Sequence, residues 1–304
     1  MPERKLVTLT DSDGTIAVIA PELGGWLLRY ARPTARHGLV EALHYTPTVL
    51  DLYPRGIYAG NPILFPLVSN NRHGEQEHHY EWNGRVFEMA QHGFARKSKW
   101  NVIEQTNTSV TMELTDSEAT RANYPFAFRQ RLKYYLTQGR LGWEQVIENR
   151  STEMLPFSAG FHPFFQIPLT AKSERKACFV EIPEAKRLTP VGRYDRFTSR
   201  PFPAQNWSVQ EEVADTLYLT DLKKRELILI DPVSELEIVL NFEDAPQHRF
   251  VALWAQSTEV PFYCLEPWTA LPNAFTRRKD RELILLEPQK TFRAAMWLEL
   301  RPMA

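Results

Sequence analysis

The stretch FRAAMWLEL, residues 292–300, places an apolar side chain at every second position and sets Arg293 and Glu299 on the opposite side. Residues 110–115 and 128–136 alternate in the same way. Successive side chains of a β-strand point to opposite faces, so a period of two predicts a strand with one buried face. These stretches therefore predict sheets that cover a common core.

Further short segments have the composition of strands and are separated by glycine, proline, asparagine and aspartate. Helix is predicted only near residues 116–123, begun by Asp116 or Ser117 and stopped before Pro125. Strands do not alternate with long amphipathic helices, which disfavours a parallel sheet. We predict an all-β fold, a single large antiparallel β-sandwich domain over residues 1–304. The additional predicted strands are residues 14–20, 26–31, 141–149, 178–182, 217–222, 226–230, 236–242, 250–256, 262–266 and 282–286.

Composition narrows the classes of function. Lys and Arg number 36 against 37 Asp and Glu, for a net charge of -1, which argues against nucleic acid or an anionic membrane as the partner. No run approaches the roughly 20 apolar residues that span a bilayer, and the N-terminal residues are too polar for a signal peptide. Cys178 and Cys264 lack metal-like spacing and are expected as buried free thiols. We expect a cytoplasmic protein.

One segment is rich in potential metal ligands. It reads His73-Gly74-Glu75-Gln76-Glu77-His78-His79, and histidine and carboxylate both bind zinc. The spacing of a four-ligand site is missing, however, and the aromatic segment that follows is typical of a loop entering a strand. We expect a solvated loop here and no metal.

Three segments place a titratable residue among aromatic residues, prolines and glycines, where burial is costly unless the group is paired. Each residue also has a simpler explanation: His162 as a hydrogen-bonded core residue, Glu266 as a turn carboxylate, and His92 as a partner of a turn backbone. Asp215 similarly could begin a strand. The segments are Gly60-Asn61-Pro62-Ile63-Leu64-Phe65-Pro66 with Arg72 and Gln91-His92-Gly93-Phe94-Ala95-Arg96 after it, Ser158-Ala159-Gly160-Phe161-His162-Pro163-Phe164-Phe165, and Phe262-Tyr263-Cys264-Leu265-Glu266-Pro267-Trp268-Thr269.

If two of these segments are strands, the alternation of their side chains shows which residues share a face of the sheet. Cys264 and Glu266 share a face of one strand, and Gly160 and His162 share a face of another. Gly160 leaves room beside His162 for a ligand or a close backbone. The sequence alone does not establish that the two faces meet.

Taken together, the segments resemble the aldose 1-epimerase (galactose mutarotase-like) family, including its hexose-6-phosphate mutarotase branch. Each motif alone is weak, but the ordered series on an all-β background is specific. It covers most of the chain, from about Gly24 onward. The series is Pro62-Ile63-Leu64-Phe65-Pro66, His92-Gly93-Phe94-Ala95-Arg96 with Trp100, Tyr124-Pro125-Phe126, Gly160-Phe161-His162-Pro163-Phe164-Phe165 and Glu266-Pro267-Trp268-Thr269.

The resemblance implies a supersandwich with an open groove, His162 as acid and Glu266 as base. It also implies that His92, Arg72 and Asp215 hold sugar hydroxyls, and it implies no metal or organic cofactor. The chain departs from the family at Asn61, in residues 67–70 and in residues 270–271, which leaves the acid and base intact but affects the expected contacts with substrate.

The expected reaction is interconversion of the α and β anomers of an aldohexose. Glu266 would remove the anomeric proton while His162 protonates the ring oxygen, and each positioned transfer is worth about 10²–10⁴ in rate. Arg96 either binds a 6-phosphate or braces a loop, and the sequence leaves both open. Two other functions remain open as well: a glycoside hydrolase using Asp215 and Glu266, and a non-catalytic carbohydrate-binding sandwich.

Overall fold

The alternation in the sequence corresponds to strands in the computed structural model, which describes residues 5–54, 58–211, 215–277 and 282–303. The opening stretch lies in the strand Thr291–Pro302, where every second side chain is buried. The other two alternating stretches form Ser109–Thr115 and Phe128–Thr137. The prediction of a large antiparallel all-β fold is confirmed.

The described strands are short and follow one another with few helical interruptions. In chain order, the first are β1 (Val7–Thr10), β2 (Ile16–Ala20), β3 (Trp26–Thr34), β4 (Gly38–Glu41), β5 (Ile63–Leu64), β6 (Arg72–His73), β7 (Gln76–Glu77), β8 (His79–Trp82), β9 (Arg85–Glu88), β10 (Asn101–Gln105), β11 (Ser109–Thr115), β12 (Phe128–Thr137) and β13 (Arg140–Asn149). The remainder are β14 (Leu155–Phe157), β15 (Gly160–Phe161), β16 (Phe164–Gln166), β17 (Phe179–Ile182), β18 (Ala185–Val191), β19 (Arg196–Phe202), β20 (Gln205–Ser208), β21 (Leu217–Thr220), β22 (Glu226–Asp231), β23 (Leu236–Asn241), β24 (Phe250–Trp254), β25 (Phe262–Trp268), β26 (Ile284–Leu286) and β27 (Thr291–Pro302).

Two large sheets dominate the topology. A nine-stranded sheet runs in the order β10-β11-β12-β13-β27-β23-β22-β17-β20. An eight-stranded sheet runs β19-β18-β21-β24-β25-β15-β5, with β16 also paired to β25. A four-stranded sheet, β1-β2-β3-β4, and three two-stranded sheets, β14-β26, β6-β7 and β8-β9, complete the described pairing. The ladders between these strands are antiparallel.

The core lies between the two large sheets. Trp143 of β13 packs against Phe161 of β15 with ring centroids 5.4 Å apart. On β25, Tyr263 and Leu265 belong to this core. Because neighbouring side chains of a strand alternate, Cys264 and Glu266 point to the opposite face of the eight-stranded sheet. The face away from the core is therefore the one that carries the polar residues of β25.

Helical structure is as scarce as the sequence predicts. In the described residues the α-helix α1 (Glu118–Asn123) is capped by Ser117, whose side chain accepts a hydrogen bond from the Thr120 N–H. The 3-10 segments are Pro21–Leu23, Pro47–Leu52, Ala95–Lys97 and Arg175–Ala177. None of the helices in the described residues is long and apolar enough to cross a bilayer.

The sequence analysis missed the hairpin formed by β18 and β19. Most of its side chains are exposed or only partly buried, so the strands lack the clear apolar alternation that reveals a core strand. It extends the eight-stranded sheet at its edge, where β18 pairs with β21. The turn between the two strands reaches toward the polar face described above.

A left-handed turn fixes the loop between β9 and β10. Gly93 has φ +72°, and a Cβ at this position would lie 2.2 Å from the carbonyl oxygen of Phe65. That oxygen accepts hydrogen bonds from the N–H groups of Phe94 and Ala95, at 3.0 and 3.1 Å. A backbone atom cannot move aside as a flexible side chain can, so the site requires glycine.

We predict that Gly93→Ala lowers the free energy of unfolding by about 2–4 kcal/mol, because it adds a steric clash to the cost of a left-handed alanine. Gly84→Ala is the matched control, since Gly84 has φ +75° but an added Cβ would meet no atom within 4 Å. The control should lose only about 1 kcal/mol. Equal losses in urea unfolding would show that close approach to Phe65 is not the constraint.

Candidate active site

Two paired strands bring the proposed acid and base together. Gly160 of β15 pairs with Trp268 of β25, and His162 follows directly after β15. The Nε2 atom of His162 lies 3.3 Å from Oε2 of Glu266. The glycine permits this arrangement, because a Cβ at Gly160 would stand 2.5 Å from Cδ1 of Trp268.

The pair opens on a cavity of about 430 Å³ on the face of the sheet away from the core. This volume is within the range of small-molecule sites. Its walls combine tyrosine, tryptophan and phenylalanine rings with about as many polar side chains. The lining residues are Tyr58, Pro62, Ser69, Gln91, His92, Arg96, His162, Phe164, Tyr194, Thr216, Tyr218, Trp254, Glu266 and Trp268.

Burial controls the charge of the His162–Glu266 pair. Glu266 is 2% exposed, and burial raises its carboxyl pKa well above the ordinary value, opposed in part by the side chain of Trp268. Burial and, to a smaller extent, the nearby Arg96 cation lower the pKa of the His162 imidazole to about 3. Both effects favour the neutral side chains. The pair therefore holds one titratable proton, which lies on the Glu266 carboxyl, while the imidazole of His162 is uncharged.

His92 is a neutral donor at the same cavity. Its Nδ1 atom accepts a hydrogen bond from the Ser69 N–H at 3.0 Å, so the ring hydrogen lies on Nε2. Burial, followed by the neighbouring His162 and Arg96, holds the pKa of His92 well below its ordinary value. The ring centroid is 5.4 Å from that of His162. An uncharged N–H donor of this kind can bind a sugar oxygen without competing for the catalytic proton.

Arg96 brings a positive charge to the cavity. Its Nη2 donates to the Gln91 carbonyl oxygen at 3.1 Å, and its Nε has no hydrogen-bond partner among the described residues. Within that same part of the chain no carboxylate lies within 4.0 Å of the guanidinium. Burial lowers the pKa of Arg96. An arginine with so few partners in a cavity favours an anionic ligand group.

Aromatic side chains hold the imidazole of His162. Phe164 stacks on it with centroids 4.5 Å apart and an interplanar angle of 11°, and Trp254 meets it edge-on at 5.9 Å. Tyr58 packs on the neighbouring Phe262 and Phe164. These flat apolar surfaces suit the C–H face of a sugar ring. The sequence analysis proposed the aromatic character of the site but did not single out Tyr58 or Trp254.

Asp215 and Arg72 do not belong to the cavity lining. Asp215 is exposed, and its neighbour Thr216 lines the cavity. Arg72 donates from Nη2 to Asp195 at 2.8 Å and from Nη1 to the Gly74 carbonyl oxygen at 2.7 Å. Asp195 lies in the turn of the β18–β19 hairpin, beside Tyr194. In this structure Arg72 therefore contacts the turn that carries a cavity residue rather than the cavity itself.

A second ion pair joins the same two hairpins. Nη1 of Arg193 contacts Oε2 of Glu75 at 3.0 Å. Tyr194 has φ +66° and packs edge-on against Tyr218 with centroids 6.4 Å apart. Sequence reasoning missed Tyr194 because it lies in a polar hairpin, and a tyrosine in such a setting carries no signal of a site. The rim of the cavity at Tyr194 is thus tied to the β6–β7 hairpin.

The histidine-rich segment forms that β6–β7 hairpin and the start of β8. His73 Nδ1 lies 3.7 Å from Glu81 Oε2, and His79 Nδ1 contacts the Glu77 carbonyl oxygen at 2.7 Å. Among the described residues, no three histidine, cysteine or carboxylate side chains of this segment converge as metal ligands would. The hairpin is largely exposed, in keeping with the expectation of a solvated loop.

A large antiparallel sandwich with a histidine–glutamate pair in an aromatic groove belongs to the class of sugar epimerases. A family model described as "Aldose 1-epimerase" matches residues 5–299. The chain therefore belongs to the aldose 1-epimerase family, and it is an isomerase that acts on a small-molecule sugar.

Individual proteins are also similar to this chain. The chromosomal LacX protein of Lactococcus lactis is 28% identical to this chain over 244 residues, which are 76% of this chain and 79% of LacX. A galactose mutarotase-like protein from Clostridium acetobutylicum is 20% identical, with a TM-score of 0.84 over 99% of this chain and 96% of its own. A galactose mutarotase related enzyme from Lactobacillus acidophilus is 22% identical, with a TM-score of 0.81 over 99% and 98%. The two structures support the fold.

We predict that Arg72→Met raises KM in the epimerase reaction about fivefold, equivalent to about 1 kcal/mol, while kcat stays within about twofold. The reason is that the change releases the Tyr194 turn and leaves the His162–Glu266 pair in place. Arg129→Met is the control, because Arg129 forms a similar ion pair with Glu148 on the other large sheet. A large fall in kcat for Arg72→Met, with KM unchanged, would instead place Arg72 at the reacting sugar.

Proposed function

We propose that the enzyme interconverts the α and β anomers of an aldohexose, with the hexose 6-phosphate as the preferred form. The observation that carries the proposal is the 3.3 Å contact between His162 Nε2 and Glu266 Oε2 at the cavity. Mutarotation needs one group that accepts a proton and one that donates a proton, both near the anomeric carbon. A buried pair that holds a single proton supplies both in one place.

The reaction begins from the charged form of the pair, which one proton transfer across the 3.3 Å contact produces from the neutral form. Glu266 removes the hydrogen of the anomeric hydroxyl while His162 protonates the ring oxygen. The C1–O5 bond breaks, and the products are the open-chain aldehyde and a pair that again holds one proton. Rotation about C1–C2 presents the other face of the carbonyl, and the reverse transfers close the ring as the other anomer.

The remaining cavity residues fit roles in holding the sugar. The Nε2–H of His92 donates to a hydroxyl or to the oxygen that gains charge as the ring opens. Phe164, Trp254 and Trp268 offer apolar faces for the ring. Thr216, rather than the exposed Asp215, is placed to contact a hydroxyl, and Arg72 acts on the sugar indirectly through the Tyr194 turn.

The preference for a 6-phosphate rests on Arg96. A mostly buried guanidinium bound to one backbone carbonyl has donors left over, and no carboxylate of the described residues neutralises it. A phosphate would supply both the negative charge and the acceptor oxygens. The hydrogen bond to Gln91 shows that Arg96 also braces its own loop. The two functions are compatible, because a guanidinium has five N–H donors.

The same geometry argues against the two rival functions. A glycoside hydrolase of the usual kind needs two carboxyl groups flanking the bond, and Glu266 is the one carboxylic acid among the described lining residues. A sugar-binding module would not require a buried acid against an imidazole, because burial of this kind costs stability. We also propose the cytosol as the compartment, where the free thiols Cys178 and Cys264 remain reduced.

We predict that Glu266→Gln lowers the rate of anomer interconversion by about 10²-fold or more, because glutamine keeps the shape and cannot accept the proton. Polarimetry on a fresh solution of one anomer measures the rate. Glu237→Gln is the control, since Glu237 is also buried but lies on the other large sheet and pairs with Arg301. Turnover near that of the parent in a folded Glu266→Gln enzyme would remove Glu266 from the mechanism.

We predict that the parent enzyme has a kcat/KM at least tenfold higher for the 6-phosphate than for the free hexose, equivalent to about 1.4 kcal/mol, and that Arg96→Ala abolishes this ratio. Lys97→Ala is the control, because it removes a neighbouring charge that does not line the cavity. Equal kcat/KM for the two sugars in the parent would assign Arg96 to the scaffold. A ratio that survives Arg96→Ala would place the phosphate elsewhere.

A further inference from the structure

A third ligand-type side chain lies beside the catalytic pair. Cys264 precedes Glu266 by two positions on β25, so the two side chains share a face of the strand. The ligand atoms of His162, Cys264 and Glu266 all lie within 4.8 Å of one another. Among the described residues, it is the one group of three histidine, cysteine or carboxylate side chains whose ligand atoms lie this close together.

The three atoms match the preferences of one kind of ion. Zinc binds cysteine sulfur at about 2.3 Å and histidine nitrogen or carboxylate oxygen at about 2.0–2.2 Å, usually with four ligands in a tetrahedron. Ligand atoms in such a tetrahedron stand about 3–4 Å apart. The His162–Glu266 distance of 3.3 Å already fits, and the cysteine sulfur lies within 4.8 Å of both ligand atoms. Cys264 is fully buried, so an ion would enter from the cavity that His162 and Glu266 line.

Two further features point to an ion between these side chains. Oε2 of Glu266 is buried without a hydrogen-bond partner among the described residues, because its 3.3 Å contact with His162 Nε2 lacks hydrogen-bond geometry. A thiolate and a carboxylate are costly in this buried setting, but a divalent cation neutralises both. The positive charge of Arg96, which also lines the cavity, weakens the binding of a cation here.

We propose that His162, Cys264 and Glu266 form an inhibitory site for a thiophilic divalent cation such as Zn²⁺, which excludes the sugar from the catalytic pair. Binding converts the Cys264 thiol and the Glu266 carboxyl to their anions and releases two protons. The ion then occupies the two groups that the epimerase reaction uses, so inhibition competes with substrate. The ion is not a cofactor, because the proposed proton transfers require both groups to be free.

The test follows binding directly, without relying on activity. Cd²⁺ added to the metal-free full-length enzyme should produce a thiolate-to-cadmium absorption band in the ultraviolet at one equivalent, and added Zn²⁺ should displace it. Cys178→Ala is the matched control, because Cys178 is buried beside Asp231 and Ser173, away from His162. The control should bind Cd²⁺ as the parent does, whereas Cys264→Ala should give no band.

Inhibition supplies the second measurement. Zn²⁺ should raise KM in the parent and in Cys178→Ala, and its inhibition constant should weaken at least tenfold in Cys264→Ala and Cys264→Ser, each compared with its own rate in the absence of metal. Using both replacements guards against one that fails to fold. The proposal is overturned if the parent gives no thiolate band, if the band depends on Cys178, or if the Cys264 variants bind as tightly as the parent. Failure of mutarotation alone would leave the binding result intact and would refute the proposed reaction instead.

Discussion

The cost of burying a carboxyl group beside an imidazole governs the organisation of this enzyme. Glu266 and His162 are 3.3 Å apart, and burial raises the carboxyl pKa of Glu266 well above its ordinary value and lowers the imidazole pKa of His162 to about 3. Burial therefore favours the neutral form of the pair, and one proton transfer between the two groups gives the charged form that the proposed reaction uses.

The surrounding structure holds the pair in place. Tyr263 and Leu265 of strand β25 are buried in the core. Because side chains alternate along the strand, Glu266 is held on the opposite face of the sheet. Gly160 has no side chain, so the indole of Trp268 packs directly against its backbone. Phe164 stacks on the imidazole of His162 and fixes the orientation of the ring. Burial, His162 and Arg96 keep His92 neutral, and the Ser69 N–H that donates to its Nδ1 atom fixes the ring hydrogen on Nε2. In this member of the aldose 1-epimerase family, the sheet holds the site in place and a small set of polar residues lines it.

The sequence predicted the fold for an identifiable physical reason, and it proposed His162 and Glu266 as a catalytic pair. Alternation reveals strands that bury one face, so the core strands of the sandwich were predictable, whereas the polar hairpin of β18 and β19 was not. His162 and Glu266 stand in motifs rich in aromatic residues and proline, and the resemblance of the ordered motifs to the aldose 1-epimerase family suggested them as acid and base. Their 3.3 Å separation depends on pairing between distant strands, which a single sequence does not specify.

A single sequence also does not specify which distant segments contact the loop residues Arg72, Asp215 and Tyr194. A loop residue is positioned by its partners, so the sequence suggested sugar contacts for Arg72 and Asp215, whereas the structure places Arg72 on Asp195 and leaves Asp215 exposed. The rim residue Tyr194 lies in the β18–β19 turn, which the β6–β7 hairpin contacts through two ion pairs and a hydrogen bond from Arg72 Nε to the Arg193 carbonyl oxygen. The sheet beneath the cavity is held by continuous backbone ladders instead. Insertions, deletions and charge changes in these hairpins can therefore reshape the rim of the cavity with little effect on the sheet that carries Glu266.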